Sequence, residues 1–369
     1  MRYDAHFWHS EDLHGVSAGA PLSLVPNAHI LVKTSGTEGR AKWVALSKRA
    51  FLLSAEAVNA HLESTAQDRW LIALPAHHVG GFSIYARAFV SGASVHHYEG
   101  KWNALRFTEL CQRECITLTS LVPTQIFDVV QQRVRAPERL RAIVVGGGGL
   151  SKEIGQQART LGWPVLQSYG MTETASQVAT EPLHHLKTGF DPEELEVLPL
   201  WTLQTDAYNV LSISGPALAS GYVIDDVWHP IQAPLRTRDK VCLHQRDGAT
   251  WLRFLARESQ VLKILGELVH LTALQAKLET LALRQGIRGR CVIVPVEDLR
   301  RGHALVLAHE GGAENLLGDF NTLVQAFERL ERAVRIEPMP VTDLGKVQLS
   351  ELSRMLAQKN FSNDKLHCL

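Results

Sequence analysis

The chain has 369 residues, 45% of them hydrophobic, and its 38 Lys and Arg residues equal its 38 Asp and Glu residues in number. This length suits two or three domains with a substantial core, and the balanced charge gives no indication of a nucleic-acid partner or an anionic membrane surface. Cys111 and Cys115 are the closely spaced pair among five cysteines. A single C-x-x-x-C spacing is a poor zinc signal, so we expect both residues to pack on one face of a helix.

The cysteines and the apolar runs also bear on location. An odd number of cysteines without a paired pattern favours a reduced, cytoplasmic setting. The N-terminal residues, Met-Arg-Tyr-Asp-Ala-His, lack the apolar segment that a signal peptide carries. No run of the sequence is long and apolar enough to predict a bilayer-spanning helix, so we expect no membrane partner.

Strand-like and helix-like segments alternate from about residue 28 to residue 170. This alternation predicts an α/β domain with a doubly wound, mostly parallel sheet. Ser47, Asn103 and Ser151 stand where helix N-caps are expected. The predicted strands are residues 29–33, 70–74, 93–97, 116–121, 142–145 and 164–167. The predicted helices are residues 47–63, 81–90, 104–114, 123–134 and 151–161.

Two further regions follow. From about residue 195 to residue 255, short apolar pieces separated by Gly, Pro, Asn and Asp predict an antiparallel, β-rich portion. After Arg257 the pattern indicates a small α+β domain of a typical size, so we expect domains at 1–257 and 258–369. Its predicted strands are 261–265, 291–296, 304–309 and 334–338, and its predicted helices are 272–284, 314–330 and one from 348 onward.

The segment from Ile30 to Lys42 is the most informative part of the chain. A short apolar run leads into a loop with three hydroxyl groups, two glycines and the cations Arg40 and Lys42. This composition suits a polyphosphate, because glycine lets the backbone approach closely while amide, hydroxyl and cationic groups face the oxygens. The spacing is neither a Walker loop nor a dinucleotide fingerprint, and a plain connection between two strands is the alternative.

Three other motifs follow predicted strands. They are a histidine and glycine segment at 74–82, a four-glycine run at 146–149, and Ser-Tyr-Gly-Met-Thr-Glu-Thr at 168–174. Each alone has an ordinary explanation as loop glycines, a capping Thr or a solvated Glu. We expect all four motifs to lie at the carboxyl ends of strands of one sheet, where open α/β sheets bind ligands.

Six segments, in order along the chain, resemble the motifs of the adenylate-forming superfamily, which includes acyl- and aryl-CoA ligases. They are the phosphate loop at 34–42, the acid-pocket motif at 75–81, the Y-G-x-T-E motif at 169–173, the T-G-D motif at 237–239, the hinge and glycine loop at 257–267, and the P-x-T-x-x-G-K motif at 340–346. Segments 120–125 and 168–177 also resemble those of o-succinylbenzoate–CoA ligases. The resemblance implies a large amino-terminal domain and a small, mobile α+β carboxy-terminal domain.

The resemblance implies an AMP-forming carboxylic acid–CoA ligase that uses ATP, Mg²⁺ and CoA and acts through an acyl-adenylate, with o-succinylbenzoate of menaquinone synthesis as the acid. Another aryl or acyl acid, or a carrier-protein thiol in place of CoA, is the alternative of the same class. The alternative of another class is a non-catalytic nucleotide-binding protein.

Roles for individual residues come with the resemblance. Lys346 would bridge the acid and the α-phosphate, Thr172 would contact that phosphate, and Glu173 would hold Mg²⁺. The residues that would bind ATP or AMP are Thr34, Ser35, Gly36, Thr37, Gly39, Lys42, Gly147, Gly148, Tyr169, Gly170, Asp239 and Arg257. The acid pocket would include His78, Thr124, Ser176 and Gln177, and His78 would also have a catalytic place beside the approaching thiol. Ser259 would form the hinge, and Gly266 and Glu267 would meet CoA. The ordinary alternatives are a solvated Lys346, a core His78 and an Asp239 that caps a turn.

Several departures from the superfamily pattern affect these expectations. Glu38 adds negative charge to the phosphate loop, Ala41 replaces its proline, Arg238 replaces a glycine, and Leu349 replaces a basic residue. Only 33 residues precede the loop, where the superfamily usually has a hundred or more. We therefore expect an amino-terminal subdomain to be largely missing and the exposed flank to favour a homo-oligomer.

Overall fold

A computed structural model describes residues 3–34, 42–298, 300–313, 315–343 and 345–363. The chain divides into two compact units, Met1–Leu255 and Ala256–Leu369, where the sequence predicted a division after residue 257. Each unit is described by itself. Among the described helices, none combines the length and the apolar character that a membrane crossing requires.

The first unit is a mixed α/β structure. Its helices are α1 (Ala5–His9), α2 (Lys48–His61), α3 (Val79–Ser91), α4 (Ala104–Arg113), α5 (Pro123–Gln131) and α6 (Lys152–Thr160). Its strands are β1 (His14–Gly15), β2 (His29–Thr34), β3 (Lys42–Ser47), β4 (Arg69–Ile72), β5 (Ser94–His97), β6 (Leu118–Leu121), β7 (Ala142–Val145), β8 (Val165–Met171), β9 (Ser176–Thr180), β10 (Leu195–Val197), β11 (Thr202–Thr205), β12 (Val210–Ser214), β13 (Gly221–Ile224), β14 (Val227–Pro230), β15 (Leu235–Arg246) and β16 (Ala249–Arg257).

One large sheet joins the predicted parallel part to the predicted β-rich part. Strands β5, β4, β6, β7 and β8 are parallel neighbours in that order. The sheet continues through β9, β10, β16, β15, β12 and β11, and the described pairings from β8 to β9 onward are antiparallel. Every residue of β6 and β7 is buried, as expected for parallel strands that helices cover on both faces.

Polar caps start the helices where the sequence predicted them. The side-chain oxygens of Ser47, Asn103 and Ser151 accept hydrogen bonds from the backbone amides of the third residue along, at 3.0, 3.0 and 3.3 Å. A cap of this kind stabilises a helix by about 1 kcal/mol. The caps fix where α2, α4 and α6 begin, and so where the preceding loops end.

The strands on either side of the phosphate loop belong to a second, smaller sheet, so the expectation of one common sheet for all four motifs is wrong. This sheet has the order β1-β2-β3-β13-β14. β2 and β3 are antiparallel neighbours, with Thr34 opposite Lys42, and the loop joins their ends. The periodicity that predicted β2 could not show this, because β3 follows within eight residues and turns the chain back on itself.

Aromatic side chains of the amino-terminal segment pack into the core of the first unit. Tyr3 contacts Phe82 edge-on with ring centroids 5.2 Å apart, and Trp8 lies 6.3 Å from Phe51. The buried ammonium of Lys48 donates hydrogen bonds to the carbonyl and hydroxyl oxygens of Ser10, at 3.1 and 2.8 Å. The segment before the phosphate loop therefore covers α2 and α3 with apolar rings.

The predicted packing of Cys111 and Cys115 on one helix face is wrong. Cys111 is buried on α4, whereas Cys115 is exposed and lies beyond the end of the helix. Glu114 caps the helix, and Cys115 has a φ of 49°, so the chain has left the helical conformation before it. The spacing of four residues spans the helix end instead of one helical turn.

The second unit is the predicted α+β domain with two changes. Its helices are α7 (Leu271–Arg284), α8 (Leu316–Thr322) and α9 (Leu349–Asn363). Its strands are β17 (Val261–Ile264), β18 (Glu267–His270), β19 (Cys291–Asp298), β20 (Gly302–His309) and β21 (Leu330–Arg335). β17 and β18 form a hairpin, and β19, β20 and β21 form a three-stranded sheet in that order.

The predicted helix at 314–330 is too long, and the strand after it starts earlier than predicted. α8 ends at Thr322, and β21 begins at Leu330 beside the parallel strand β20. The Asn321 side chain donates to the carbonyl of Leu330 and accepts from its amide, both at 2.8 Å. This side chain replaces two backbone hydrogen bonds that a continued helix would have made.

Candidate active site

The phosphate loop is described at its two ends. Ser35, Gly36, Thr37 and Gly39, which were predicted to bind phosphate, lie outside the described residues, as do Glu38 and Ala41. At the loop ends, the Thr34 hydroxyl donates to the carbonyl of Lys42 over 3.4 Å. Strand pairing therefore fixes Lys42, the predicted phosphate-binding cation.

Lys42 meets Glu173, the predicted metal ligand, in the first unit. The Lys42 ammonium lies 2.7 Å from Oε1 of Glu173, and the two side chains are 29% and 13% exposed. Tyr222 donates its hydroxyl hydrogen to the same oxygen over 3.1 Å, and the Lys42 ammonium lies 4.0 Å from the centre of the Tyr222 ring. Sequence reasoning missed Tyr222, which stands in an ordinary alternating strand pattern.

The Glu173 carboxylate fits the predicted metal role. Its Oε1 is occupied by Lys42 and Tyr222, whereas its Oε2 makes no hydrogen bond or ion pair in the described parts of the chain. Carboxylate oxygens are the ligands that Mg²⁺ prefers, usually one or two of them together with substrate phosphates. A cation beside the free oxygen would meet the phosphate groups that Lys42 is predicted to bind.

The Tyr-Gly-Met-Thr-Glu segment is held in place by tight packing at the end of β8. A side-chain carbon added at Gly170 would lie 1.7 Å from the carbonyl oxygen of Ser176, so glycine alone fits there. Thr172 begins a short 3-10 turn, Thr172–Thr174, and the carbonyl of Glu173 accepts a hydrogen bond from Ala219 at 2.8 Å. The backbone around Thr172 and Glu173 is therefore fixed from both sides.

Tyr169 and Asp239, both predicted to bind ATP or AMP, contact each other. The buried Tyr169 hydroxyl donates to Oδ2 of Asp239 over 2.8 Å. Asp239 is a buried residue of β15 between the exposed Arg238 and the half-buried Lys240, and its amide donates to the hydroxyl of Thr237 at 3.1 Å. Arg238 points to the opposite face of the strand and is exposed, so the extended backbone accepts an arginine where the superfamily has glycine.

The glycine run after β7 takes its shape from Gln167. The buried Gln167 amide donates to the carbonyl of Gly148 at 3.1 Å and accepts from the amide of Leu150 at 2.8 Å. Gly147 has a φ of 76°, which favours glycine at that position. Sequence reasoning assigned Gly147 and Gly148 to ATP or AMP binding but missed Gln167, which directly precedes the Ser-Tyr-Gly motif.

The four predicted acid-pocket residues lie on three separate pieces of chain. His78 is the N-cap residue of α3, and Thr124 lies in the first turn of α5. Ser176 begins β9 with a φ of 127°. The next residue, Gln177, is buried and accepts a hydrogen bond from the Thr180 hydroxyl at 2.6 Å. These placements leave the acid-pocket roles as predictions.

Arg87 is a buried cation that sequence reasoning missed. Its residue is 1% exposed, and its guanidinium donates to the hydroxyls of Ser120 and Ser176, at 3.3 and 3.0 Å. It meets no carboxylate among the described residues, and burial lowers the pKa of Arg87 to about 9. A guanidinium buried without an anion is costly. The signal that was available is a single arginine inside an apolar helix.

Lys346 lies in a short loop of the second unit. The carbonyl of Lys346 accepts from the amide of Thr342 at 2.7 Å, and its amide donates to the Thr342 hydroxyl at 3.2 Å. Isolated pairing of Val341 with Val347 closes the loop, and the Lys346 side chain is exposed. Although the residue is exposed, neighbouring atoms partly desolvate its ammonium, and this desolvation, followed by the charge of Arg257, lowers the pKa of Lys346.

The glycine loop of the second unit is the turn of the β17–β18 hairpin. Leu265 and Gly266 have φ values of 53° and 93°, the signature of a tight two-residue hairpin turn. Glu267 follows as the exposed first residue of β18, and Arg257 is the last residue of β16. Ser259 lies in the 3-10 turn Glu258–Gln260. Strand β18 was missed because its four residues are mostly exposed.

The sequence comparisons match this chain to AMP-binding enzymes and to 2-succinylbenzoate–CoA ligases. A family model described as AMP-binding enzyme matches residues 27–223. A 2–succinylbenzoate–CoA ligase from Bacillus subtilis is 36% identical over 150 residues, which cover 41% of this chain and 31% of that relative. A ligase of the same name from Listeria innocua is 26% identical over 327 residues, 86% of this chain and 68% of that relative.

Solved structures show the same fold. The o-succinylbenzoate CoA synthetase from Bacillus subtilis, in complex with ATP and magnesium ion, has a TM-score of 0.71 at 23% identity and covers 88% of this chain and 69% of its own. ATP-bound MatB from Rhodopseudomonas palustris has a TM-score of 0.72 at 19% identity, over 88% of this chain and 67% of its own. At these identities the likeness establishes the fold and confirms the predicted α/β class.

Proposed function

The chain belongs to the AMP-binding enzyme family, and from this premise we propose that it is an ATP-dependent, AMP-forming carboxylic acid–CoA ligase. The reaction would proceed in two steps. The acid attacks the α-phosphate of ATP to give an acyl-adenylate and pyrophosphate, and the CoA thiol then displaces AMP. Because a carboxylate repels a triphosphate, the protein has to gather positive charge and align the two substrates.

The observation that carries the nucleotide half of this proposal is the contact between Lys42 and Glu173. These side chains lie 131 positions apart in sequence, yet their charged atoms are 2.7 Å apart. One is suited to phosphate and the other to a metal ion bound to phosphate. A Mg·ATP complex would exchange this ion pair for two contacts of its own, to Lys42 and to Oε2 of Glu173.

The remaining nucleotide contacts follow from the same assignment. Asp239, oriented by Tyr169, would accept hydrogen bonds from the ribose hydroxyls, and Thr172 would contact the α-phosphate. Mg²⁺, when bound, supplies charge neutralisation on the phosphates. The other proposed ATP contacts are Thr34, Gly147, Gly148, Gly170 and Arg257, together with the loop residues Ser35, Gly36, Thr37 and Gly39.

Arg87 supports an acid with a second carboxylate. Its buried guanidinium has hydroxyl partners but no anion in the described part of the chain, so a carboxylate placed beside Ser120 and Ser176 would complete its pairing. The curated relatives are named for 2-succinylbenzoate, which carries two carboxylates. We propose that one is activated by ATP while the other pairs with Arg87.

The second unit would supply the groups that complete each step. Lys346 would bridge the acid and the α-phosphate during adenylation, for which a compact charge on a flexible stem is suited. Rotation about Ser259 would then bring Gly266 and Glu267 toward CoA. Hinge closure of this kind lets one site serve two steps.

A pyrophosphate-release screen tests the proposal. The purified chain is supplied with Mg·ATP and a panel of aromatic and aliphatic acids, with one or two carboxylates, in the presence and absence of CoA. We expect release that depends on 2-succinylbenzoate, and formation of its CoA thioester. Nucleotide binding without turnover of any acid would refute the ligase and favour a nucleotide-binding protein.

Two finer points are open to direct measurement. Thioester formation on a carrier protein, with none on CoA, would change the proposed acceptor. Self-association stays a prediction, and a monomer in sedimentation at micromolar concentration would refute it.

A further inference from the structure

Tyr222 contacts both charged partners of the candidate phosphate and metal site. Its hydroxyl donates to Oε1 of Glu173 over 3.1 Å, and its ring centre lies 4.0 Å from the ammonium of Lys42. One side chain thus touches the carboxylate through a hydrogen bond and the ammonium through its π face. Neither contact was predicted from the sequence.

The fold holds Tyr222 in place on β13. Tyr222 lies opposite Val44 of β3 and opposite His229 of β14, so strands flank it on both sides. At the preceding Gly221, an added side-chain carbon would lie 2.5 Å from the Trp228 ring, so the strands approach closely. The phenol is therefore carried on a rigid platform, one residue from a position where only glycine fits.

The geometry commits one oxygen of Glu173. Its Oε1 accepts the hydroxyl hydrogen of Tyr222 and lies 2.7 Å from the Lys42 ammonium, whereas its Oε2 makes no hydrogen bond or ion pair in the described part of the chain. The second oxygen is therefore left for a metal ion.

We propose that Tyr222 is a positioning residue for Mg·ATP: its hydroxyl orients Glu173 toward the metal ion, and its ring orients Lys42 toward the phosphates. The inference rests on the proposed function, because it assigns these two partners to a metal ion and a polyphosphate. Without the Tyr222 hydroxyl, the Glu173 carboxylate would be free to turn its second oxygen toward Lys42. That oxygen would then no longer face the metal ion.

Two substitutions separate the two contacts. Tyr222→Phe keeps the ring under Lys42 and removes the hydroxyl from Glu173, whereas Tyr222→Leu removes both. A hydrogen bond to a charged group is worth about a tenfold change in affinity or more, and a cation–π contact at a partly exposed site about threefold. Tyr208→Phe is the matched control, since Tyr208 is 75% exposed and lies outside the site.

The experiment measures ATP binding by calorimetry, with Mg²⁺ titrated and with metal removed by chelator. For Tyr222→Phe we expect the Mg²⁺ concentration at half-maximal effect to rise about fivefold to tenfold, with metal-free ATP affinity unchanged. For Tyr222→Leu we expect the same metal effect and a further loss of about threefold in metal-free ATP affinity. Tyr208→Phe should match the wild type in both.

The outcomes are distinguishable. If the wild type binds no Mg·ATP, the proposed function fails and takes this inference with it. If the wild type binds Mg·ATP and Tyr222→Phe needs the same Mg²⁺ concentration, this inference alone fails. Equal losses with and without metal, accompanied by a lower melting temperature, would assign Tyr222 a structural role and also overturn it.

Discussion

The nucleotide-binding candidates of the first unit and Lys346 of the second unit are supported in different ways. Glu173, Tyr169 and Asp239 are held by side-chain hydrogen bonds between residues that are distant in sequence. Lys346 is held by its backbone, through Thr342, while its side chain is exposed. The first arrangement fixes where charged atoms lie, and the second fixes only where a flexible side chain starts. Substitutions should therefore affect stability in the first unit and activity alone at Lys346.

Lys346→Ala provides the largest test of this difference. We expect adenylation to fall by about 10² to 10³-fold, because a group that stabilises transition-state charge is lost. Formation of the thioester from supplied acyl-adenylate and CoA should persist. The measurement is pyrophosphate release beside thioester formation, with Lys277→Ala, an exposed lysine of α7, as control. Normal adenylation by Lys346→Ala would contradict the assigned role.

Gly170→Ala tests whether close packing holds the candidate site of the first unit in place. A methyl group would lie 1.7 Å from the carbonyl oxygen of Ser176, so the strand end has to shift. We expect the free energy of unfolding to fall by about 3 kcal/mol, as measured by urea denaturation. Gly149→Ala is the matched control, since an added carbon there meets no atom within 4 Å, and its effect should stay within about 0.5 kcal/mol. Similar losses at both positions would show that packing at β8 is not the cause.

Arg87→Met tests whether the buried guanidinium binds the second carboxylate of the acid substrate. We expect kcat/KM for 2-succinylbenzoate to fall about a hundredfold, and that for a monocarboxylate such as benzoate to change by less than about threefold. The free energy of unfolding should change by about 1 kcal/mol or less, because relief of the desolvation penalty offsets two lost hydrogen bonds. Arg106→Met, at an exposed position of α4, is the control. Equal losses for both acids would remove the second carboxylate from the proposal.

Glu181 gives the smallest expected effect, in the pH dependence of stability. Its carboxylate is buried, 2.8 Å from Arg159, and burial raises the pKa of Glu181 to about 6 from 4.5. The folded chain then binds more protons than the unfolded chain between these values. The free energy of unfolding should therefore fall as pH rises from about 4.5 to about 6, by at most about 2 kcal/mol from this group.

Glu181→Gln should flatten that part of the stability curve. The measurement is urea unfolding at several pH values between 4 and 7, with the exposed Glu99→Gln as control. Because the substitution also removes the ion pair with Arg159, the slope with pH is informative and the absolute stability is not. An unchanged slope would mean that Glu181 titrates at its ordinary pKa in the folded chain.

Local sequence patterns correctly predicted the features, such as helix starts, that depend only on nearby residues. Ser47, Asn103 and Ser151 cap helices as expected, since a cap needs only its own next turn. The end of α8 was misplaced, because Asn321 reaches Leu330 across a turn that periodicity does not encode. β2 lies in a separate sheet because it pairs with β3, and sequence periodicity does not reveal which strands pair.

The sequence likewise predicted only part of the candidate site. Motif resemblance identified Lys42, Glu173, Tyr169 and Asp239 as separate members, and the fold joins them in two pairs. Tyr222 and Arg87 escaped notice because each stands alone in an apolar element, with no neighbouring residue to form a motif. Their importance depends on partners 49 and 89 positions away, Glu173 and Ser176, so a reading of sequence alone had no means to find them.

The pairing of Thr34 with Lys42 has a consequence for how this site tolerates change. Lys42 takes its direction from the pleat of β3, because it already belongs to the ladder with β2. Insertions between residues 34 and 42 would lengthen the predicted phosphate loop while leaving the ammonium directed at Glu173. Deleting one residue inside β3 would instead turn Lys42 to the opposite face of the sheet. Changes in the length of this loop would therefore leave the direction of the Lys42 ammonium unchanged.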